Sequence, residues 1–140
     1  MPSLRFHVTS SMSPSEVMGV LTNFGPSRVE QWPSIDAEHF HVHERGETWA
    51  EVTEGNGKSS ERARYEWDPS RNTVTVTTRD STPFGPGGWN FHLTPTEQGT
   101  RVDVRLERHP RSFGAKLMSP IIPLAGSVFR KSFKEPLKTM

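Results

Sequence analysis

Two periods divide this chain. Over most of its length apolar and polar residues alternate in steps of two, and in a few places they recur at helical spacing. Leu4, Phe6 and Val8 alternate with Arg5, His7 and Thr9, which is the pattern of a half-buried strand. Ser13-Pro14-Ser15-Glu16 then predicts a helix, with Ser13 as N-cap, Pro14 at the first helical position and Glu16 closing a capping box. Val17, Val20, Leu21 and Phe24 form its apolar side, and Gly25-Pro26 stops it. Ser27 to Trp32 reads as a second short helix, closed by Pro33.

From Phe40 onward the period is two, broken by turns. Phe40 and Val42 alternate with His39, His41 and His43; Ala50 and Val52 oppose Trp49; Ala63, Tyr65 and Trp67 alternate with Arg62, Arg64 and Glu66. Val74, Val76 and Thr78 come next, then Trp89, Phe91 and Leu93, then Val102, Val104 and Leu106, each with polar residues between. Arg45-Gly46-Glu47, Gly55-Asn56-Gly57, Asp68 to Asn72, the Gly/Pro loop Pro83 to Gly88 and Thr96 to Gly99 supply the connections. Connections this short between consecutive strands imply an antiparallel meander.

The last thirty residues return to helical spacing. Phe113, Leu117, Ile121, Leu124 and Val128 share one stripe, flanked by Met118, Ile122, Ala125 and Phe129. Lys131, Lys134 and Lys138 gather where cations suit the negative pole of a helix. Pro120 and Pro123 cannot both lie inside one straight helix, so a break is expected near Ser119 to Pro123, with Pro136 ending the helix near Lys134. The expected order is strand, two short helices, six strands, long helix. A broad apolar helix after a run of half-buried strands needs a sheet to lie on, and a pocket is expected between the two.

Composition narrows the function classes. The 140 residues fit one domain spanning the whole chain, with 31% hydrophobic residues and no run near the ~20 apolar residues of a membrane span. No basic-then-apolar leader opens the chain, which points to the cytoplasm. The absence of cysteine excludes disulfides, thiol nucleophiles and cysteine metal sites. A net charge of +1 with both signs interspersed gives no general field for nucleic acid.

The element order, the capped Ser-Pro-Ser-Glu-Val helix and the aliphatic C-terminal helix together resemble the START/polyketide-cyclase (SRPBCC) superfamily, the helix-grip proteins that include the birch-pollen-allergen type. The matching stretches are Arg5 to Phe24, Gly88 to Leu106 with its Trp-Asn-Phe and Gly-Thr-Arg-Val patterns, and Phe113 to Lys138. The resemblance implies an α+β helix-grip fold, a curved antiparallel sheet wrapped around a long C-terminal helix with a deep hydrophobic cavity between. Its members bind lipids, sterols, polyketides or hormones, and some are cyclases or aromatases.

The candidate ligand wall is aromatic. Trp32, Tyr65, Trp67, Trp89 and Phe91, with Thr78 at the end of its inward series, face the expected pocket from the sheet side. Leu117, Met118, Ile121 and Ile122 face it from the helix. Glu44 continues the Phe40-Val42 face and Asp80 the Val74-Val76-Thr78 face; with Tyr65 they are the candidate acid–base groups of an enzyme. His109 and Arg111 are expected near the pocket mouth. His39, His41 and His43 fall opposite Phe40 and Val42, toward solvent, and no metal or other cofactor is expected. No nucleophile elbow, phosphate loop or dinucleotide fingerprint is present. Three functions follow: a carrier of a small hydrophobic molecule, a polyketide cyclase or aromatase using the same cavity, or an interaction module with a filled core.

Overall fold

The computed structural model describes residues 3–32, 35–56, 60–82, 87–108 and 133–139. They form β1 (Ser3–Ser10), α1 (Pro14–Leu21), α2 (Ser27–Gln31), a 3-10 turn (Ala37–His39), β2 (His41–Arg45), β3 (Trp49–Gly55), β4 (Ser60–Asp68), β5 (Thr73–Thr82), β6 (Gly87–Thr96), β7 (Gly99–Arg108) and a final helical turn α3 (Lys134–Leu137). The expected helix and break over residues 111–132 lie outside the described residues, as do His109, Arg111, Leu117, Met118, Ile121 and Ile122.

The strands build one antiparallel sheet ordered β1-β7-β6-β5-β4-β3-β2. The meander of β2 to β7 is extended by β1, which returns to pair with β7 from Ser3↔Glu107 to Ser10↔Thr100. One inner row crosses six strands through Ala50↔Tyr65, Tyr65↔Val76, Val76↔Trp89, Trp89↔Leu106 and Leu4↔Leu106. A neighbouring row runs Val74↔Phe91, Phe91↔Val104 and Phe6↔Val104. These residues are buried apart from the half-buried Trp89, so the period-two pattern did mark the core face. The outer face is polar. Glu51 there meets Arg79 at 3.1 Å, Arg64 at 3.7 Å and Arg62 at 4.0 Å, and Arg64 stacks 4.4 Å from the centre of the Trp49 ring.

Local chemistry explains the short elements. The Ser13 hydroxyl accepts the Glu16 N–H at 3.2 Å while Glu16 Oε1 accepts the Ser13 N–H at 3.1 Å, so the capping box forms as expected. The helix stops at Leu21 rather than running to Gly25: the Thr22 hydroxyl bonds the Met18 carbonyl at 2.7 Å, and Asn23 Oδ1 takes the Gly25 N–H at 2.9 Å. His39 belongs to the 3-10 turn capped by Asp36, so the strand begins only at His41. The long helix that Pro136 is expected to fray or end near Lys134 lies outside the described residues, but Pro136 itself is described. It sits within the first turn of α3, where the missing N–H has no intrahelical partner to lose, and Lys138 at φ 50° ends the turn.

The C-terminal turn is tied to the first strand. The buried Ser10 hydroxyl donates to the Leu137 carbonyl and accepts the Met12 N–H at 3.0 Å, while the Ser11 N–H reaches the Lys138 carbonyl at 3.3 Å. Gly99, which opens β7, lies against this junction at φ 147°, and a Cβ there would stand 2.1 Å from the Ser10 carbonyl oxygen. No helix among the described residues is long and apolar enough to cross a membrane. We expect Gly99→Ala to lower the unfolding free energy by at least about 2 kcal/mol, since strained backbone and a backbone clash combine. Urea denaturation measures this, and an unchanged midpoint would count against the described junction.

Candidate functional site

Among the described residues the inner side of the sheet carries a buried charged corner built around Arg28. Arg28 lies on α2 and is 2% exposed. Its Nε donates to Glu54 Oε2 at 2.9 Å, and its Nη2 donates to the Tyr65 hydroxyl at 3.0 Å. Its Nη1 donates to the carbonyls of Asn23 at 3.0 Å and Leu21 at 3.2 Å, just past the end of α1. A cation there suits the negative pole of that helix. Tyr65 in turn donates its hydroxyl proton to Glu54 Oε1. Burial by itself would lower the Arg28 pKa, but the charges and hydrogen bonds of Glu54 and Tyr65 outweigh it and leave the pKa raised. Burial, then the Glu54 charge, pushes the Tyr65 phenol well above its ordinary value of 10.0.

A second carboxylate stands beside the first. Glu61 faces Glu54 across β3 and β4, and the buried Thr78 hydroxyl donates to Glu61 Oε2 at 3.2 Å.

Aromatic rings surround this corner. Phe24 meets Tyr65 edge-on at 4.9 Å and Trp67 at 6.0 Å, and the Arg28 guanidinium lies 4.6 Å from the Phe24 ring centre. On the other side Trp32 meets Phe133 edge-on at 5.7 Å, and Phe133 meets Phe6, Phe91 and Trp89 at 6.1, 5.9 and 6.3 Å. Trp67 and Trp89 are half-buried, while Phe24, Trp32, Tyr65, Phe91 and Phe133 are buried. The Trp32 indole N–H has no hydrogen-bond partner among the described residues. Leaving a buried donor unpaired costs about 1–3 kcal/mol.

Proteins of known structure share this arrangement of strands. No family model matches the chain, and no curated protein matches it by sequence. Among solved structures, an aromatase/cyclase from a Streptomyces species aligns with a TM-score of 0.75 at 15% identity, covering 93% of this chain and 89% of that one. A START superfamily protein from Mycobacterium smegmatis aligns with a TM-score of 0.75 at 10% identity, covering 99% and 98%. Norcoclaurine synthase from Thalictrum flavum aligns with a TM-score of 0.66 at 14% identity, covering 97% and 91%. The chain has the α+β helix-grip fold of the START/polyketide-cyclase superfamily.

Within the helix-grip frame, Trp32, Tyr65, Trp67, Thr78, Trp89 and Phe91 all gather on the inner side of the sheet. Glu44 does not join them. A register shift lies between Val42 and Glu44, so Val42 pairs with Val52 on the inner face but Glu44 pairs with Glu51 and is exposed. A bulge inverts every face beyond it. A second shift between Arg62 and Ala63 sets Ala63 opposite Thr78 but Arg62 opposite Asp80, which takes Asp80 out of the Val74-Val76-Thr78 series; its side chain lies outside the described residues. His41 and His43 are exposed with ring centres 4.7 Å apart, and His39 is instead bound to Asp36 at 2.5 Å. Among the described residues no group of three His, Asp or Glu side chains is placed to hold a metal. The outer face has a groove of about 690 Å³ whose lining includes Arg5, His7, His92, Asp103 and Arg105.

Sequence reasoning missed Arg28, Glu54 and Glu61. Glu54 follows Ala50 and Val52 at strand parity, and Glu61 precedes Ala63 and Tyr65, so parity alone could have placed both inward. Nothing local distinguishes Arg28.

Two measurements test the corner. Glu54→Leu strands the Arg28 charge and is expected to cost about 3–5 kcal/mol, whereas Arg28→Met combined with Glu54→Leu costs less than that single change; an additive double variant would contradict the pairing. Tyr65 is the only tyrosine in the chain, so its phenolate absorbance reports one site. Its folded pKa is raised, so its contribution to stability is present below the unfolded value of 10.0 and is lost as the pH climbs from there toward the folded value. We expect phenolate absorbance to appear only as the protein unfolds, and Tyr65→Phe to flatten the alkaline loss of stability. Free titration of the folded protein near pH 10.0 would contradict the buried geometry.

Proposed function

We propose that this chain is a single domain that binds a small hydrophobic molecule against the inner face of its sheet. The observation that carries the reading is that two tryptophans on the core face, Trp67 and Trp89, are only half-buried although they adjoin a buried aromatic cluster. Large apolar side chains on an inner face offer a ligand much area at little conformational cost. The solved norcoclaurine synthase of the same fold holds a transition state analogue, which supports a fold able to take a small molecule. Apolar burial, about 25 cal/mol per Å², would supply the driving force.

A catalytic reading is supported less by the acid–base groups the sequence nominated. Glu44 is exposed on the outer side, and the Tyr65 hydroxyl donates a hydrogen bond to Glu54 while accepting one from Arg28. A phenol held above its ordinary pKa is a poor proton donor and no base near neutrality.

The test is extraction of native protein into organic solvent followed by mass spectrometry, with uptake of a fluorescent apolar probe by the emptied protein. A carrier releases an apolar species and takes up the probe at about one site per chain. Ala63→Trp, which fills the inner face between Val52 and Thr78, should weaken uptake at least tenfold while the circular dichroism spectrum is kept. No extracted species and no probe uptake would favour an interaction module with a filled core.

A further inference from the structure

The binding reading leaves one polar atom without a role. The Trp32 indole is 8% exposed and lies between the two halves of the site, 5.6 Å from the Arg28 guanidinium on one side and edge-on to Phe133 at 5.7 Å on the other. Glu54, Tyr65 and Arg28 bond one another, and the Trp32 N–H is the buried side-chain polar atom that remains unpaired among the described residues. An indole nitrogen only donates, so rotation or proton exchange cannot satisfy it. A neighbouring ring face offers an N–H only a second-order contact.

We infer that Trp32 Nε1 is the specificity group of the site and donates its hydrogen bond to a neutral acceptor oxygen, such as a ketone, on an otherwise apolar ligand. Charge argues for neutrality. Among the described residues Arg28 is the buried cation, and Glu54 already pairs with it. A ligand carboxylate beside Trp32 would meet Glu54, with Glu61 in the facing register position, and no other buried cation among the described residues is left to balance it. A carbonyl oxygen satisfies the donor and adds no charge.

This inference rests on the binding reading, and the experiment separates the two. Fluorene and fluorenone are flat, similar in size and differ by one carbonyl. Titrated into the wild-type protein, fluorenone is expected to bind roughly three- to tenfold tighter than fluorene, the usual net worth of one hydrogen bond. Trp32→Phe should abolish the difference, so that fluorenone and fluorene bind the variant with the same affinity. Fluorenecarboxylate should bind more weakly than fluorene. Equal affinities in the wild type, or a preference that survives Trp32→Phe, would overturn the inference while leaving the binding reading intact. Failure of every probe to bind would overturn both. Should Trp32→Phe not fold, the isotope-labelled wild-type protein gives the same answer: one of its four indole N–H signals moves downfield with fluorenone and not with fluorene, and four unmoved signals refute the assignment.

Discussion

A guanidinium removed from water governs how the helices of this protein meet its sheet. Taking a charge out of water costs several kcal/mol even after relaxation, and one partner rarely compensates. Arg28 is compensated from three directions: by Glu54 on β3, by Tyr65 on β4 and by the carbonyls that α1 leaves unpaired at Leu21 and Asn23. Each partner comes from a different element, so the group is satisfied only when all of them are in place. Well-packed apolar residues could stabilise such a corner as well or better. What the charged version adds is position. It allows one seating of α2 on the sheet and penalises the alternatives, and that seating sets Trp32 and Phe24 against the aromatic wall.

Much of the architecture was legible because it is periodic. Alternation along seven segments gave seven strands, and Ser13-Pro14-Ser15-Glu16 gave the capped helix, since both signals are local. The inner aromatics were legible for the same reason, because parity places Trp67 and Trp89 without knowledge of what covers them. Parity fails where the ladder slips. The shifts at Val42/Glu44 and Arg62/Ala63 each change which residues share a face, and neither is marked by a glycine or proline at the shift. Glu44 was assigned inward and lies outward for that reason alone.

The polar corner was illegible for a different reason. Glu54 and Glu61 sit at inward parity, but an unpaired carboxylate inside would be prohibitive, so their polarity argues against their position until the partner is known. The partner of Glu54 is a buried arginine at the second position of a five-residue helix, too short for its own pattern to declare a face. Arg28 and Glu54, which look like surface positions one at a time, become interior positions only together. Cooperativity of this kind is invisible to any reading that takes residues singly.

The same closure decides what the site can do. A proton relay needs a group whose affinity for a proton lies near the working pH and whose hydrogen bonds can be exchanged for a ligand's. Tyr65 meets neither condition: burial and Glu54 hold its proton, and both Glu54 and Arg28 occupy its oxygen. Opening the corner to a ligand would expose Arg28 without its counterion, at a cost comparable with the stability of a small domain. The corner therefore serves as a rigid wall. On the proposed binding reading, recognition would fall to the half-buried rings and to the Trp32 indole N–H, which is unpaired among the described residues. If both proposals hold, such a site would gain affinity from flat apolar bulk and discriminate by whether a neutral acceptor sits at one fixed point along it.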